Sequence, residues 1–332
     1  MKKVIIGIHG LENKPSKRLL TEWWKHSMEE GLVAIGKYRE LPVFELVYWA
    51  DAVYDKPLDP DITDKNDPYY LDEFYTPATI GYQPQIHEFR VKAVGLAAKL
   101  LKRIFLNEDF SMKNSSVARN IVQRYFHELD IYYRDYGNDE DCPACKARKT
   151  MIDRVVSILN QYRNDQILLI GHSMGSILAF DAICFYVPEI RIDTFITIGS
   201  PLGLPLVLSK IAERQNAARD DKSSIQTPAS IDRRWYNFSD IEDVVAINYK
   251  LNEDFSPNRN GVNPIDRLVK NNYLMNGRKN PHSVFGYLRS TAMSEVLSAF
   301  IEEEEPKLSA KVFGTLKKAW KNVRMAFSGK EK

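Results

Sequence analysis

Along the 332-residue chain, short runs of consecutive apolar residues alternate with longer stretches in which apolar positions recur every three or four residues. The first kind reads as strands buried on both faces, the second as amphipathic helices. Val4 to Ile8 is the first expected strand and ends at His9-Gly10. Ser16 to Glu30 is the first helix, with Ser16 as its cap and Gly31 as its stop. Val43 to Tyr48, Ile167 to Ile170, Thr194 to Ile198 and Arg234 to Phe238 follow as strands, with Asn272 to Met275 as a sixth. Met174 to Tyr186 reads as a helix halted before Pro188. This alternation predicts an α/β protein, a doubly wound, mostly parallel sheet flanked by helices.

Two long connections interrupt the pattern. Residues 51–148 separate the second and third strands. Their start, Asp51 to Pro77, is rich in Asp, Pro and Tyr and reads as irregular loop, while helical periodicity begins near Glu88. The expectation is therefore a discontinuous core over 1–50 and 149–300, a large, mainly helical cap or lid over 51–148, and a basic amphipathic tail over 301–332. A shorter connection, Leu202 to Arg233, joins the fourth and fifth strands.

Candidate chemistry centres on Gly171-His172-Ser173-Met174-Gly175, which has the form G-x-S-x-G. Such a pentapeptide arises by chance in about one chain in twenty of this length, so its letters alone decide little. Its setting decides more: Ile167 to Ile170 leads in as a strand and Ser176 to Phe185 leads out as a helix, the sharp turn that exposes a nucleophilic serine. Gly171 and Gly175 serve that turn, where side chains would collide with the neighbouring strand and helix. A serine hydroxyl needs a base, usually a histidine oriented by a carboxylate, and in this arrangement the chain order is Ser, then Asp or Glu, then His. Of six histidines only His282 follows Ser173, which makes it the base by elimination. For the acid, Asp243 is preferred because Val244-Val245-Ala246 can anchor it by packing inward. Asp240 is the alternative, or else closes an Asx turn. Oxyanion donors are expected at the amides of Met174 and of Leu11, where Gly10 lets the backbone approach and His9 braces the loop without moving protons.

Charge and composition narrow the class. Forty-six basic and 44 acidic residues leave a net charge of +2, which argues against nucleic acid as a partner. Three cysteines exclude a disulfide framework and suit a reducing compartment. The chain shows no apolar run of about eighteen residues and only Val4 to Ile8 near its start, so a cytoplasmic protein is expected. Cys142-Pro143-Ala144-Cys145 has the spacing of half a zinc site, which His127 would help complete, or of a redox pair, but its charged neighbours favour a polar turn. Lys307 to Lys332 carries eight Lys or Arg against the single acid Glu331, and Lys92 to Leu106 is also basic and amphipathic. Each is a candidate for peripheral membrane contact or else a helix packed on the body with a solvated basic face. Trp23 and Trp24 read as core anchors of the first helix.

Together these residues resemble the α/β-hydrolase superfamily, and within it the lipase-like branch. The likeness covers Lys3 to Tyr48 and Asp165 to Leu288, and it rests on His9-Gly10, on Gly171 to Gly175 and on Gly199-Ser200-Pro201-Leu202-Gly203. Asn237 through Asp243-Val244-Val245-Ala246 is similar to the N-x5-D-P-V-A stretch of intracellular phospholipases, with Val244 in place of proline, which also favours Asp243. The resemblance implies no metal and no organic cofactor. The two strands that usually precede the first one here are not expected, which implies a smaller sheet. The D-D-H-D cluster of those phospholipases is not found, so their head-group preference does not carry over. The expected activity is hydrolysis of a carboxylic ester, an acyl lipid by preference. A thioesterase or acyltransferase using the same triad is the alternative, and a non-catalytic lipid- or membrane-binding protein of the same fold is the rival from another class.

Overall fold

The computed structural model describes residues 2–78, 88–113, 132–133, 142–216 and 224–303. Six strands form the central sheet: β1 (Lys3–Ile8), β2 (Val43–Val47), β3 (Gln166–His172), β4 (Ile192–Ile198), β5 (Ile231–Asp240) and β6 (Pro264–Val269). Their lateral order is β2-β1-β3-β4-β5-β6, and every neighbouring pair is parallel. Among the described residues the α-helices with described bounds are α1 (Lys17–Ala34), α2 (Glu88–Phe105), α3 (Pro143–Gln161), α4 (Met174–Asp181), α5 (Pro205–Asn216), α6 (Val284–Leu288) and α7 (Thr291–Glu302).

The consecutive apolar runs are explained by two cores, one on each face of the sheet. Val4, Ile6, Ile8, Ile167, Leu169, Phe195 and Trp235 point to the layer of α3, α4 and α5. Their neighbours Ile5, Leu168, Ile170, Ile196, Ile198 and Phe238 point to the layer of α1, α6 and α7. Adjacent residues of a strand face opposite sides, so burial on both faces favours apolar residues at consecutive positions. The sheet is thus doubly wound, and it reverses direction between β1 and β3. In such sheets the crevice beyond the carboxyl ends of those strands is where ligands bind.

Four expectations change. The sixth strand is Pro264–Val269, and Leu274–Met275 instead pairs antiparallel with Arg278–Lys279. That ribbon turns through Asn276 and Gly277, both at positive φ (48° and 76°), as a tight hairpin requires. β6 escaped the apolar pattern because it lies at the sheet edge, where a leading proline is tolerated and one face is wet. The boundary at residue 148 falls inside α3, whose Met151, Ile152, Val155 and Leu159 are core residues, so the helix belongs to the core from Pro143. Cys142 and Cys145, at the start of α3, are joined in a disulfide, so both sulfurs are taken up locally and neither is a free thiol.

The fourth change concerns Gly31. Ser16 does cap α1, its Oγ accepting from Leu19 N–H, but the helix runs through Gly31 to Ala34 and is closed by Ile35, before Gly36 at φ +68°. Gly31 is there for close packing: a Cβ would lie 2.2 Å from Ser294 Oγ and 2.9 Å from Arg289 Cα. Alanine would gain about 1 kcal/mol of helix propensity and lose about 1–3 kcal/mol to overpacking. Gly31→Ala is expected to lower the urea midpoint of unfolding, whereas a raised midpoint would show that the α1–α7 contact yields freely.

Candidate active site

Ser173 sits between the end of β3 and the start of α4 with φ +53° and ψ −127°, a region that residues with a Cβ rarely enter. The surroundings over-determine that conformation. A Cβ on Gly171 would lie 2.5 Å from Ser176 Cα, and one on Gly175 would lie 2.3 Å from the Ile8 carbonyl oxygen. β1, β3 and α4 therefore meet with only hydrogens between them. The Ser173 N–H donates to Ile198 O at 3.1 Å, tying the turn to β4 as well.

Beyond the serine runs a chain of side chains from three other segments. His282 Nε2 is 3.0 Å from Ser173 Oγ, placed to accept its proton. On its other side His282 Nδ1 lies 2.8 Å from Asp243 Oδ2. Asp243 follows β5 and is buried, while His282 sits in the loop before α6 with its ring one-third exposed. Asp243 Oδ2 also accepts from the Tyr287 O–H at 2.7 Å, and Oδ1 from Val245 N–H at 2.9 Å. The packing expected of the next residues is only partly present: Ala246 is buried and Val245 is half-buried, but Val244 is 80% exposed.

Asp240 lies apart from His282 and holds the frame behind it. Its Oδ1 closes an Asx turn on Glu242 N–H at 2.8 Å, and its Oδ2 accepts from Asn271 N–H at 2.6 Å. Burial pushes its carboxyl up from the ordinary range, opposed by these hydrogen bonds. The Asn271 amide then donates to Pro281 O at 3.1 Å and Ser283 O at 2.7 Å, gripping the chain on both sides of His282. The Tyr287 oxygen accepts from Asp240 N–H at 2.8 Å while its O–H serves Asp243, so one phenol spans both carboxylate segments. Burial, then the charge of Asp243, hold Tyr287 well above the usual phenol range and keep it a donor. Neither Asn271 nor Tyr287 carries a signal in the sequence, because both act through contacts 31 to 47 positions away in the chain or through backbone carbonyls.

Two other histidines are fixed as neutral. His9 Nε2 accepts from Trp49 N–H at 3.0 Å, so Nδ1 carries the hydrogen and donates to Gly10 O at 2.8 Å. Burial, then the charge of Lys14, lower its pKa to about 3. His172 Nε2 donates to His282 O at 2.9 Å, and burial, then the His282 ring, hold it well below the ordinary histidine value. It is a support for the loop of His282 that the pentapeptide contained without revealing.

Gly10 and Leu11 continue from β1 past the serine, where a Cβ on Gly10 would come 2.7 Å from Ser173 Cβ. Leu11 and Ser173 line one cavity of about 460 Å³, and Met174, as the first residue of α4, has an amide that precedes the intrahelical ladder. The cavity has an apolar wall of Leu20, Trp23, Leu58, Leu71 and Phe285, so Trp23 is both a core residue and a wall of the site. Leu58 and Leu71 come from the start of the 51–148 insertion. Glu12, Lys14 and Glu73 add charge at its other side, and burial raises the Glu73 carboxyl against the opposing pull of Lys14. Among the described residues no group of three or more His, Cys, Asp or Glu is placed to hold a metal, and no helix is long and apolar enough to cross a membrane. His127 and the 307–332 tail lie outside the described residues.

The buried neutral state of His9 sets a sign for acid stability. Its folded pKa of about 3 lies below the ordinary 6.5, so the unfolded chain takes the proton first. The contribution is complete above 6.5 and is lost as pH falls towards 3, at about 1.4 kcal/mol per pH unit. Unfolding free energies of wild type and His9→Gln should therefore converge as pH drops from 7 to 4, and curves that stay parallel would contradict the neutral assignment.

No protein-family model matches the chain and no curated protein aligns with it significantly, so the chemistry of the site rests on its own geometry.

Proposed function

We propose that the protein is a serine hydrolase acting on a carboxylic ester with an apolar acyl part, an α/β-hydrolase of the lipase-like branch. The observation that carries this reading is the unbroken contact from Ser173 Oγ through His282 to Asp243, at 3.0 and 2.8 Å, on a strained strand-to-helix turn. Strain at a buried, polar, solvent-reachable turn is characteristic of functional sites rather than of packing. The parallel order β2-β1-β3-β4-β5-β6, with the serine turn at the end of β3 beside β1, fits a hydrolase core.

In this reading Ser173 Oγ attacks the ester carbonyl while His282 Nε2 takes its proton. Asp243 holds Nδ1–H and stabilises the imidazolium that forms. The amides of Leu11 and Met174 receive the negative charge that develops on the carbonyl oxygen. His282 returns the proton to the departing alcohol, leaving an acyl group on Ser173, and a water activated by the same imidazole releases the acid. The apolar wall holds the acyl chain, and no metal or organic cofactor is required. His9 and His172, held neutral, cannot compete for the proton at physiological pH.

Fluorophosphonates phosphonylate only an activated serine, which makes them the direct test. Wild type should be labelled, while Ser173→Ala and His282→Ala should lose labelling and about a hundred-thousand-fold in ester turnover. Labelling or turnover that survives Ser173→Ala removes the proposal. Tyr287→Phe separates positioning from bulk: it should slow labelling about tenfold through the loss of one charge-assisted hydrogen bond to Asp243. It should cost about 1–3 kcal/mol of stability, because Asp240 N–H is left unpaired. For a turned-over ester, kcat should fall with KM unchanged, and equal labelling rates would assign Tyr287 to stability alone.

A further inference from the structure

α2 is apolar on two faces, and the core uses only one of them. Val91, Val94, Ala98, Leu101 and Phe105 recur at helical spacing on the half-buried or buried side. That side is pinned to the body: Tyr249 O–H donates to Val91 O at 3.2 Å, Gly95 leaves room for the same phenol, and Lys102 pairs with Asp254. Leu96, Leu100 and Ile104 form a second stripe, one residue per turn, and they are 62%, 48% and 56% exposed. Two leucines and an isoleucine in a row facing water are a persistent cost, since a surface helix ordinarily presents polar residues there.

Charge identifies what would cover them. On one flank of the stripe, within about 60° on the helical wheel, stand the exposed Lys92, Lys99 and Arg103. Glu88 is the only acid in the helix. Around it, Glu253 lies 3.9 Å from Lys99, Asp254 is spent on Lys102, and Glu108 and Asp109 follow the last turn. A second copy docked through the same face would set cations against cations. The 307–332 segment, with eight basic residues and one acid, would be repelled in the same way. The occupant that these charges fit is apolar beneath and anionic at its edge, as a bilayer containing acidic lipids is.

We propose that the Leu96-Leu100-Ile104 face of α2 docks the protein on an anionic lipid surface, with Lys99 and Arg103 reaching the phosphates. This does not depend on the catalytic reading, and its test measures no catalysis. The full-length protein is sedimented with vesicles of phosphatidylcholine alone or with about 30% phosphatidylglycerol, at low and high salt. Wild type should bind the anionic vesicles, weaken with salt and leave the neutral ones. Leu96→Ser/Leu100→Ser/Ile104→Ser should reduce partitioning at least about tenfold, and Lys99→Glu/Arg103→Glu should abolish the preference for phosphatidylglycerol. Undiminished binding by the triple variant would overturn the proposal by placing the contact elsewhere, the 307–332 segment included. Absent binding by wild type would overturn it outright, and so would a wild-type dimer that the triple variant turns into a monomer. Should the triple variant misfold, an environment-sensitive dye on Leu100→Cys, with dye-treated wild type as the blank, reports the same contact. A blue shift on anionic vesicles supports docking and an unchanged spectrum refutes it.

Discussion

Everything in the candidate site depends on how closely β1, β3 and α4 approach one another around Ser173. The backbone there is held at φ +53° because Gly171 and Gly175 bring α4 against β3 and the Ile8 carbonyl without an intervening side chain. Loosening that contact by one methyl group would let the serine relax to an ordinary conformation and turn its oxygen away from His282. The same approach places the Gly10-Leu11 backbone beside Ser173, so the serine and the amide proposed to receive an oxyanion are set by one packing event. Strain of this kind persists only where the core around it is rigid. Both faces of the sheet are dry here, with β3 buried along its whole length.

Behind the serine, polar groups are buried in a connected network rather than singly. Asp243, Asp240, Tyr287, Asn271 and His282 each use the hydrogen bonds of the next. That matters energetically, because a buried polar group without a partner costs more than a satisfied one contributes. The phenol of Tyr287 is the joint of this network, accepting from Asp240 N–H and donating to Asp243. Three histidines cluster near Ser173 with distinct fates: His9 and His172 are locked neutral by burial, and His282 alone keeps a ring edge towards solvent. A proton therefore has one imidazole to use.

The loop after β5 links this interior to the surface. It carries Asp243 at one end and Tyr249 at the other, and Tyr249 is the residue on which α2 hangs. The exposed stripe of α2 is thus tied, through six residues, to the carboxylate that orients His282. If the face of α2 rests on lipid and the cavity beside Ser173 takes an acyl chain, one short segment serves both.

Local chemistry is what the residue order determines by itself. Runs such as Ile167 to Ile170 suit strands of a sheet covered on both sides, and a serine between two glycines at a strand-to-helix junction suits a sharp turn. Ser173 and His282 were legible for that reason, His282 because no other histidine follows the serine. The sequence preferred Asp243 to Asp240, and the two are separated in space, where Asp243 touches the imidazole and Asp240 does not. Tertiary structure alone decided the rest. β6 lies at an edge where no apolar run is needed, and Gly31 is called for by Ser294, 263 positions away. Asn271 and His172 work through backbone carbonyls that any residue supplies, and Tyr287 through a carboxylate 44 positions away. The outward face of α2 was hidden as well, since its leucines look alike until Tyr249 and Asp254 show which side the body holds. Contacts between distant segments leave no periodicity along the chain, and so they become visible only when the chain is folded.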